Sequence, residues 1–235
     1  MKSVIIDERL PRSVKESLRL NGFYTIEMPQ WHRLQEPVSA HPDMLLFIAD
    51  DRIITHFEYY EIAKEQFKAI CEHGYKIILS DEEISESYPF DILFNCVEIG
   101  DLIFGKEINA SKYITDYAKK SGMRFINVKQ GYAKCSVAKV SDYAAITADP
   151  SLAKAMTANG IDVLTISQGC ISLKGYDCGF IGGCSGHFGD KIYFSGNIES
   201  HPDFESIKVF CLKHGKTAVS LSSEPLFDGG SLFFI

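Results

Sequence analysis

The sequence predicts an α/β fold built from five strand–strand–helix–strand (ββαβ) units, set in a ring that the chain's two end strands close. Three observations carry this. Glycines recur at Gly22, Gly74, Gly122, Gly160 and Gly215, each at the end of a helical stretch. Each is followed by a β-type run, at 23–26, 75–79, 123–128, 161–166 and 217–221. Finally, residues 1–7 match the second hairpin strand of the other units and 229–235 match the first, so one unit is shared between the chain ends. Closing a ring this way ties down termini that otherwise fray. A repeat of this kind puts a site on the common axis.

The second unit shows the pattern most fully. Residues 44–49 and 52–55 flank Asp50-Asp51 and read as a tight hairpin. Tyr60, Ala63, Phe67, Ile70 and Cys71 then recur at helical spacing, with Glu61, Lys64, Glu65 and Lys68 between them, the signature of one buried face. Gly74 ends that helix and 75–79 returns as a strand. Unit three repeats this as 92–97, a turn at Gly100-Asp101, 102–104, and a helix carrying Tyr113, Ile114, Tyr117 and Ala118. Lys119-Lys120-Ser121-Gly122 closes it with basic charge and a glycine where the helix dipole and a left-handed cap want them. Unit four has 136–140, a turn at Ser141-Asp142, 143–147, and Asp149-Pro150 as N-cap and first helical residue. Leu152, Ala155 and Met156 face inward before Asn159-Gly160. Unit five opens at Gly182-Gly183, turns at Gly189-Asp190, continues through 191–194 and enters a helix near His201-Pro202-Asp203, with Phe204, Ile207, Phe210 and Cys211 inward. The tight hairpins argue against a doubly wound sheet, which alternates strands and helices without them.

The bulk numbers fit one domain, residues 1–235. The chain is 46% hydrophobic and 23% charged, enough to bury a sizeable core. Its net charge of −7 and lack of a basic run exclude a nucleic-acid partner. No apolar run approaches the roughly 20 residues that span a bilayer, so no membrane partner is expected. Seven cysteines without a CxxC pair, behind a start lacking a signal-peptide core, predict a reduced, cytoplasmic protein. Cys170, Cys178, Cys184 and His187 are spaced by 8, 6 and 3, which matches no common zinc pattern. No phosphate-binding glycine motif occurs, and no metal or cofactor is expected. The oligomeric state is left open.

Five ring-closed ββαβ units resemble the pentein, or guanidine-group-modifying, fold: a five-bladed β/α-propeller shared by arginine deiminases, dimethylarginine hydrolases, agmatine deiminases and amidinotransferases. The resemblance covers the whole chain in pattern and few residues in identity. It implies a hydrolase or amidinotransferase acting on a C–N bond of a guanidino group, or a small guanidino or amino-acid-like ligand in an axial pocket. The deiminase-type members carry a nucleophilic His-Cys pair on a glycine-rich C-terminal strand and a Gly-His-x-acid segment elsewhere. Gly186-His187-Phe188-Gly189-Asp190 is similar to the second, with the acid displaced by one position. The first is missing: in 228–235 phenylalanines, Phe233 and Phe234, stand where His and Cys would be, and a phenyl ring offers neither nucleophile nor titratable proton.

Aligning the first strands of the units puts Asp43, Asp91, Lys134, Gly183 and Gly230 in one column and Met44, Ile92, Cys135, Cys184 and Ser231 in the next. With these strands around the axis, Cys135, Cys184 and Ser231 face one another. The expected catalytic set is then Cys135 or Cys184 as nucleophile with His187 as acid/base, and Asp43, Asp91, Lys134 and Asp228 as ligand-binding residues, the carboxylates gripping a guanidinium by paired hydrogen bonds. Small residues packed where five strands crowd together, and turn-forming aspartates, are the structural alternative. Residues 184 and 187 are three apart and point to opposite faces unless a bulge intervenes. The glycine-rich stretch 169–186 serves either as a lid or as a connector between blades. A non-catalytic binding or protein-interaction role, like that of the ribosome anti-association factor on the same fold, is the alternative to catalysis.

Overall fold

The computed structural model describes residues 2–235. In chain order its elements are β1 (Ser3–Asp7), α1 (Arg12–Leu20), β2 (Tyr24–Met28), α2 (Pro42–Leu45), β3 (Leu46–Ala49), β4 (Arg52–His56), α3 (Phe57–Ile62), α4 (Lys64–Glu72) and β5 (Lys76–Ser80). There follow β6 (Val97–Ile99), β7 (Leu102–Gly105), α5 (Lys112–Ser121), β8 (Arg124–Asn127), α6 (Ala133–Ser136), β9 (Val137–Ser141), β10 (Ala144–Thr147), α7 (Pro150–Ala158) and β11 (Asp162–Thr165). The last are β12 (Ser185–Phe188), β13 (Lys191–Phe194), α8 (Phe204–Lys213), β14 (Thr217–Ser220) and β15 (Phe233–Phe234).

These strands form five three-stranded sheets, ordered β15-β1-β2, β3-β4-β5, β6-β7-β8, β9-β10-β11 and β12-β13-β14. In each, the inner strand pairs antiparallel with the middle one and the middle strand pairs parallel with the outer one across its helix. The predicted five-unit α/β propeller is therefore the fold, ring closure included: β15 lies antiparallel to β1, with Val4 opposite Phe234. The five glycines after the helices all have positive φ, and Gly122 is the left-handed C-cap of α5. Asp149 caps α7 by accepting the N–H groups of Ser151 and Leu152, with Pro150 at the first position.

Three local expectations are corrected. Ala63 leaves the helical region and splits the single expected helix into α3 and α4, and Cys71, expected on the buried face, is exposed. His41-Pro42-Asp43 opens the helical turn α2, with His41 as its N-cap and Pro42 in its first turn. Most consequential for the axis, residues 91–95 are not strand: Asn95 N–H closes a turn onto Ile92 O (3.0 Å), and the inner strand of that blade starts only at Val97.

Candidate functional site at the blade entries

Every inner strand is entered through a tight turn, and the residue two positions ahead of each strand faces the axis. Those residues are Met44, Asn95, Cys135, Gly183 and Ser231. They and their neighbours join in a closed belt of hydrogen bonds. Cys135 O accepts from Gly183 N (2.9 Å) and Gly183 O from Ser231 N (2.7 Å), while Asp43 N donates to Gly230 O (3.1 Å). Asn95 completes the circle. Its Nδ2 donates to Asp43 O (2.9 Å) and to Cys135 Sγ (2.9 Å), and its Oδ1 accepts from Lys134 N (2.8 Å).

The axial column thus differs from the expected one in two blades. Asn95 replaces Ile92, because the turn at 91–95 displaces the strand, and Gly183 replaces Cys184. Cys184 points away from the axis into the hydrophobic cluster of blade five, donating its thiol to Ile181 O (3.3 Å). Nothing in the residue pattern singled out Asn95; only the true strand start at Val97 reveals it.

Charged side chains fill the belt. Ser231 Oγ donates to Asp43 Oδ2 (2.5 Å) and accepts from Lys134 Nζ (2.8 Å), and the ammonium also lies 5.1 Å above the Phe233 ring. Burial holds the Lys134 ammonium below its usual pKa, opposed by the charge of Asp43. Asp228 accepts from Phe180 N (2.9 Å) and Gly230 N (3.0 Å), with His41 at 3.7 Å. Asp43 and Asp228 therefore act here as internal counter-charges and backbone acceptors.

Burial pushes both the Cys135 and Cys184 thiols well above their ordinary range, with Asp43 and Asp228 reinforcing the effect at Cys135. His187 is not with them. It lies on β12 in an axial pocket of about 200 Å³ that opens at the hairpin end of the ring, together with Ile48, Glu98, Lys134, Lys139 and Phe233. The expected partners lie apart, with Cys135 in the belt, Cys184 in the blade interior and His187 in the pocket, which Cys96 also lines.

At the opposite, loop end stands Asp91. Tyr132 Oη donates to its Oδ2 (2.6 Å), whereas its Oδ1 is buried without a hydrogen-bond partner. Aromatic rings surround the pair, with Tyr88 5.5 Å and Phe180 6.1 Å from the Tyr132 ring. Burial raises the Asp91 carboxyl, partly offset by Tyr132, and the charge on Asp91 adds to the burial that raises the Tyr176 phenol. The stretch 169–186 crosses above this end, tied down by Tyr176 Oη to Gln35 Oε1 (2.7 Å). Tyr132 carries no spacing signal in the sequence, being a lone aromatic in a loop, whereas Phe180 and Tyr176 are the two aromatics of the glycine-rich stretch read as lid or connector.

A family profile covers residues 5–233, and its description is DUF6873, a family of unknown function. The chain belongs to the DUF6873 family. No curated protein matches this DUF6873 chain in sequence. Among solved structures it is similar to SxtG, an amidinotransferase from Microseira wollei in the saxitoxin biosynthetic pathway, at 9% identity and TM-score 0.60, covering 98% of this chain and 93% of that one. DDAH from Pseudomonas aeruginosa, a cysteine-to-serine mutant complexed with citrulline, matches at 11% identity and TM-score 0.57 over 94% and 92%. C. jejuni agmatine deiminase matches at 8% and 0.54 over 94% and 87%. The DUF6873 chain has the pentein fold. Among its described residues, no helix is long and apolar enough to cross a membrane, and no three metal-ligating side chains converge.

The belt makes one pH dependence testable. Burial raises the Asp228 carboxyl to about 6, with Asp43 adding to the shift and His41 opposing it. A carboxyl whose folded pKa lies above its unfolded value stabilises fully below the unfolded pKa of about 3.9 and loses that contribution as pH rises through the folded value. His187, depressed to about 4 by burial and by Lys139, has the opposite sign: its contribution is present above about 6.5 and lost as pH falls through about 4. Asp228→Asn isolates the first. In urea denaturation, wild-type stability relative to this variant should fall between pH 4 and 6.5, and parallel profiles would rule out the raised carboxyl.

Proposed function

We propose that this chain binds a small guanidino or amino-acid-like cation at the loop end of the axis, with Asp91 as its anchor, and that it does so without a covalent cysteine step. The observation that carries this reading is the unpartnered Oδ1 of Asp91, a buried carboxylate oxygen among the rings of Tyr88, Tyr132 and Phe180. A buried acceptor without a donor is destabilising by about 1–3 kcal/mol. A planar cation answers it in two ways, by donating to the carboxylate and by stacking on aromatic faces. The guanidino class is supported by the agmatine named for one solved relative, and the amino-acid-like class by the citrulline, a neutral ureido amino acid, named for another. The non-covalent part rests on Cys135 and Cys184, whose thiols burial and the neighbouring carboxylates keep protonated. A thiol that burial keeps protonated is a poor nucleophile.

Calorimetric titration with agmatine, arginine and citrulline tests the reading, with ammonia and urea assayed in the same samples. Agmatine should bind, and Asp91→Asn should weaken it roughly ten- to hundredfold, the loss of one charge-assisted hydrogen bond. Agmatine should be recovered unchanged. Equal affinity in the variant would remove Asp91 as anchor; ammonia or urea release that Cys135→Ser abolishes would overturn the non-covalent mechanism.

A further inference from the structure

The pocket at the hairpin end is a separate space from the Asp91 site, since the belt with Lys134, Asp43 and Ser231 closes the axis between them. All five inner strands contribute to it, through Ile48, Glu98, Lys139, His187 and Phe233. Its acids are already engaged. Glu98 Oε2 accepts from Lys139 Nζ (3.0 Å), which also meets Asp142 (2.9 Å), and Asp50 accepts from Tyr117 Oη (2.6 Å).

Two polar groups facing this cavity keep capacity to spare. The Lys134 ammonium has three donors and gives one, to Ser231 Oγ. The His187 ring has no protein hydrogen-bond partner among the described residues, although burial and the charges of Lys139, Lys216 and Lys134 keep it neutral. A neutral imidazole still offers one N–H. The remaining wall is mostly apolar, with Ile48, Val97, Leu232 and Phe234 and the Phe233 ring beside the ammonium, and includes Tyr75, Cys96 and Ser185.

We infer that this axial pocket is a second binding site, for a small monocarboxylate with an apolar or aromatic body, whose carboxylate takes donors from Lys134 and His187. A guanidinium or amine fits it less well, because the groups with spare hydrogen-bonding capacity are the donors Lys134 and His187, whereas the acids Glu98 and Asp50 are taken up by Lys139 and Tyr117. The volume of about 200 Å³ limits the guest to roughly the size of benzoate. This inference goes beyond the Asp91 reading and does not rest on it.

The test uses three isosteres of different charge on the full chain, 4-fluorobenzoate, 4-fluorobenzamide and 4-fluorobenzamidine, followed by ¹⁹F line broadening and by the imidazole resonances of His187. Fluorobenzoate should bind and shift the His187 signals, with the amide roughly tenfold weaker or more and the amidine weaker still. His187→Gln, on a half-buried strand position, should weaken fluorobenzoate severalfold and leave the fold intact by circular dichroism. Saturating agmatine should not displace it. Amidine binding as tight as benzoate, benzoate broadening without movement of the His187 signals, or displacement by agmatine would each overturn the inference. The His187 readout needs no agmatine binding, so failure of the Asp91 reading is seen separately.

Discussion

Lys134→Met is expected to destabilise the protein by about 3 kcal/mol, the lower end for one partner removed from a buried charge pair, since Ser231 Oγ bridges the ammonium to Asp43 in place of direct contact. The loss comes from what stays behind. Asp43 keeps a fully buried carboxylate whose Oδ1 already has no partner, and its Oδ2 retains only the hydroxyl of Ser231. Methionine fills the volume of the lysine stem and supplies no charge, so packing changes little while the electrostatic balance fails. Adding Asp43→Asn should recover part of the loss, because a neutral amide can be buried with far less penalty than an unpaired carboxylate. Urea denaturation of the two single variants and the double variant measures this coupling. A Lys134→Met loss below about 1 kcal/mol, as for exposed pairs, would mean that the ammonium is not the counter-charge of the belt.

Gly182→Ala is expected to have the larger effect, more than about 4 kcal/mol, so that little folded protein survives at 37 °C. A Cβ at this position would lie 2.3 Å from Lys134 O, 2.5 Å from Val137 O and 2.6 Å from Cys135 O. All three are backbone atoms, so no side chain can swing aside. Relief requires blade four to move away from blade five, which breaks the bond from Gly183 N to Cys135 O. Gly22→Ala serves as the control, since its φ of +87° is strained for alanine but its Cβ would meet nothing within 4 Å. It should lose only about 1–2 kcal/mol, the left-handed backbone term alone. Thermal melts of both variants separate the two causes, and equal losses would contradict the close approach at Gly182.

The sequence carried the repeat well because each unit is bounded by strong local chemistry. Gly122 ends α5 in the left-handed region, Asp149-Pro150 starts α7, and two-residue turns such as Asp50-Asp51 fix the hairpins. The axis was harder to read, for a physical reason. Residues 92–97 form an apolar run broken only by Asn95, and a run that short has no period to distinguish a strand from a buried turn. A strand read from Ile92 therefore starts too early, which places Ile92 on the axis instead of Asn95 and Asp91 in the wrong company. At blade five a displacement of one residue was enough to exchange Cys184 for Gly183, since neighbouring residues face opposite ways. Asp43, Lys134, Cys135 and Ser231 meet within the belt, whereas Asp91 and His187 lie at opposite ends of the axis, facing different spaces.

The belt also bears on how the molecule comes apart. Repeat proteins that stack in a line have end units with one neighbour, and those open first. Here each blade is bonded to two others through Asp43, Asn95, Cys135, Gly183 and Ser231, and the blade made from the chain ends is bonded like the rest. With no end unit to peel away, opening one blade interrupts the circle for all five, and slow amide exchange should extend evenly around the ring instead of fading toward the termini.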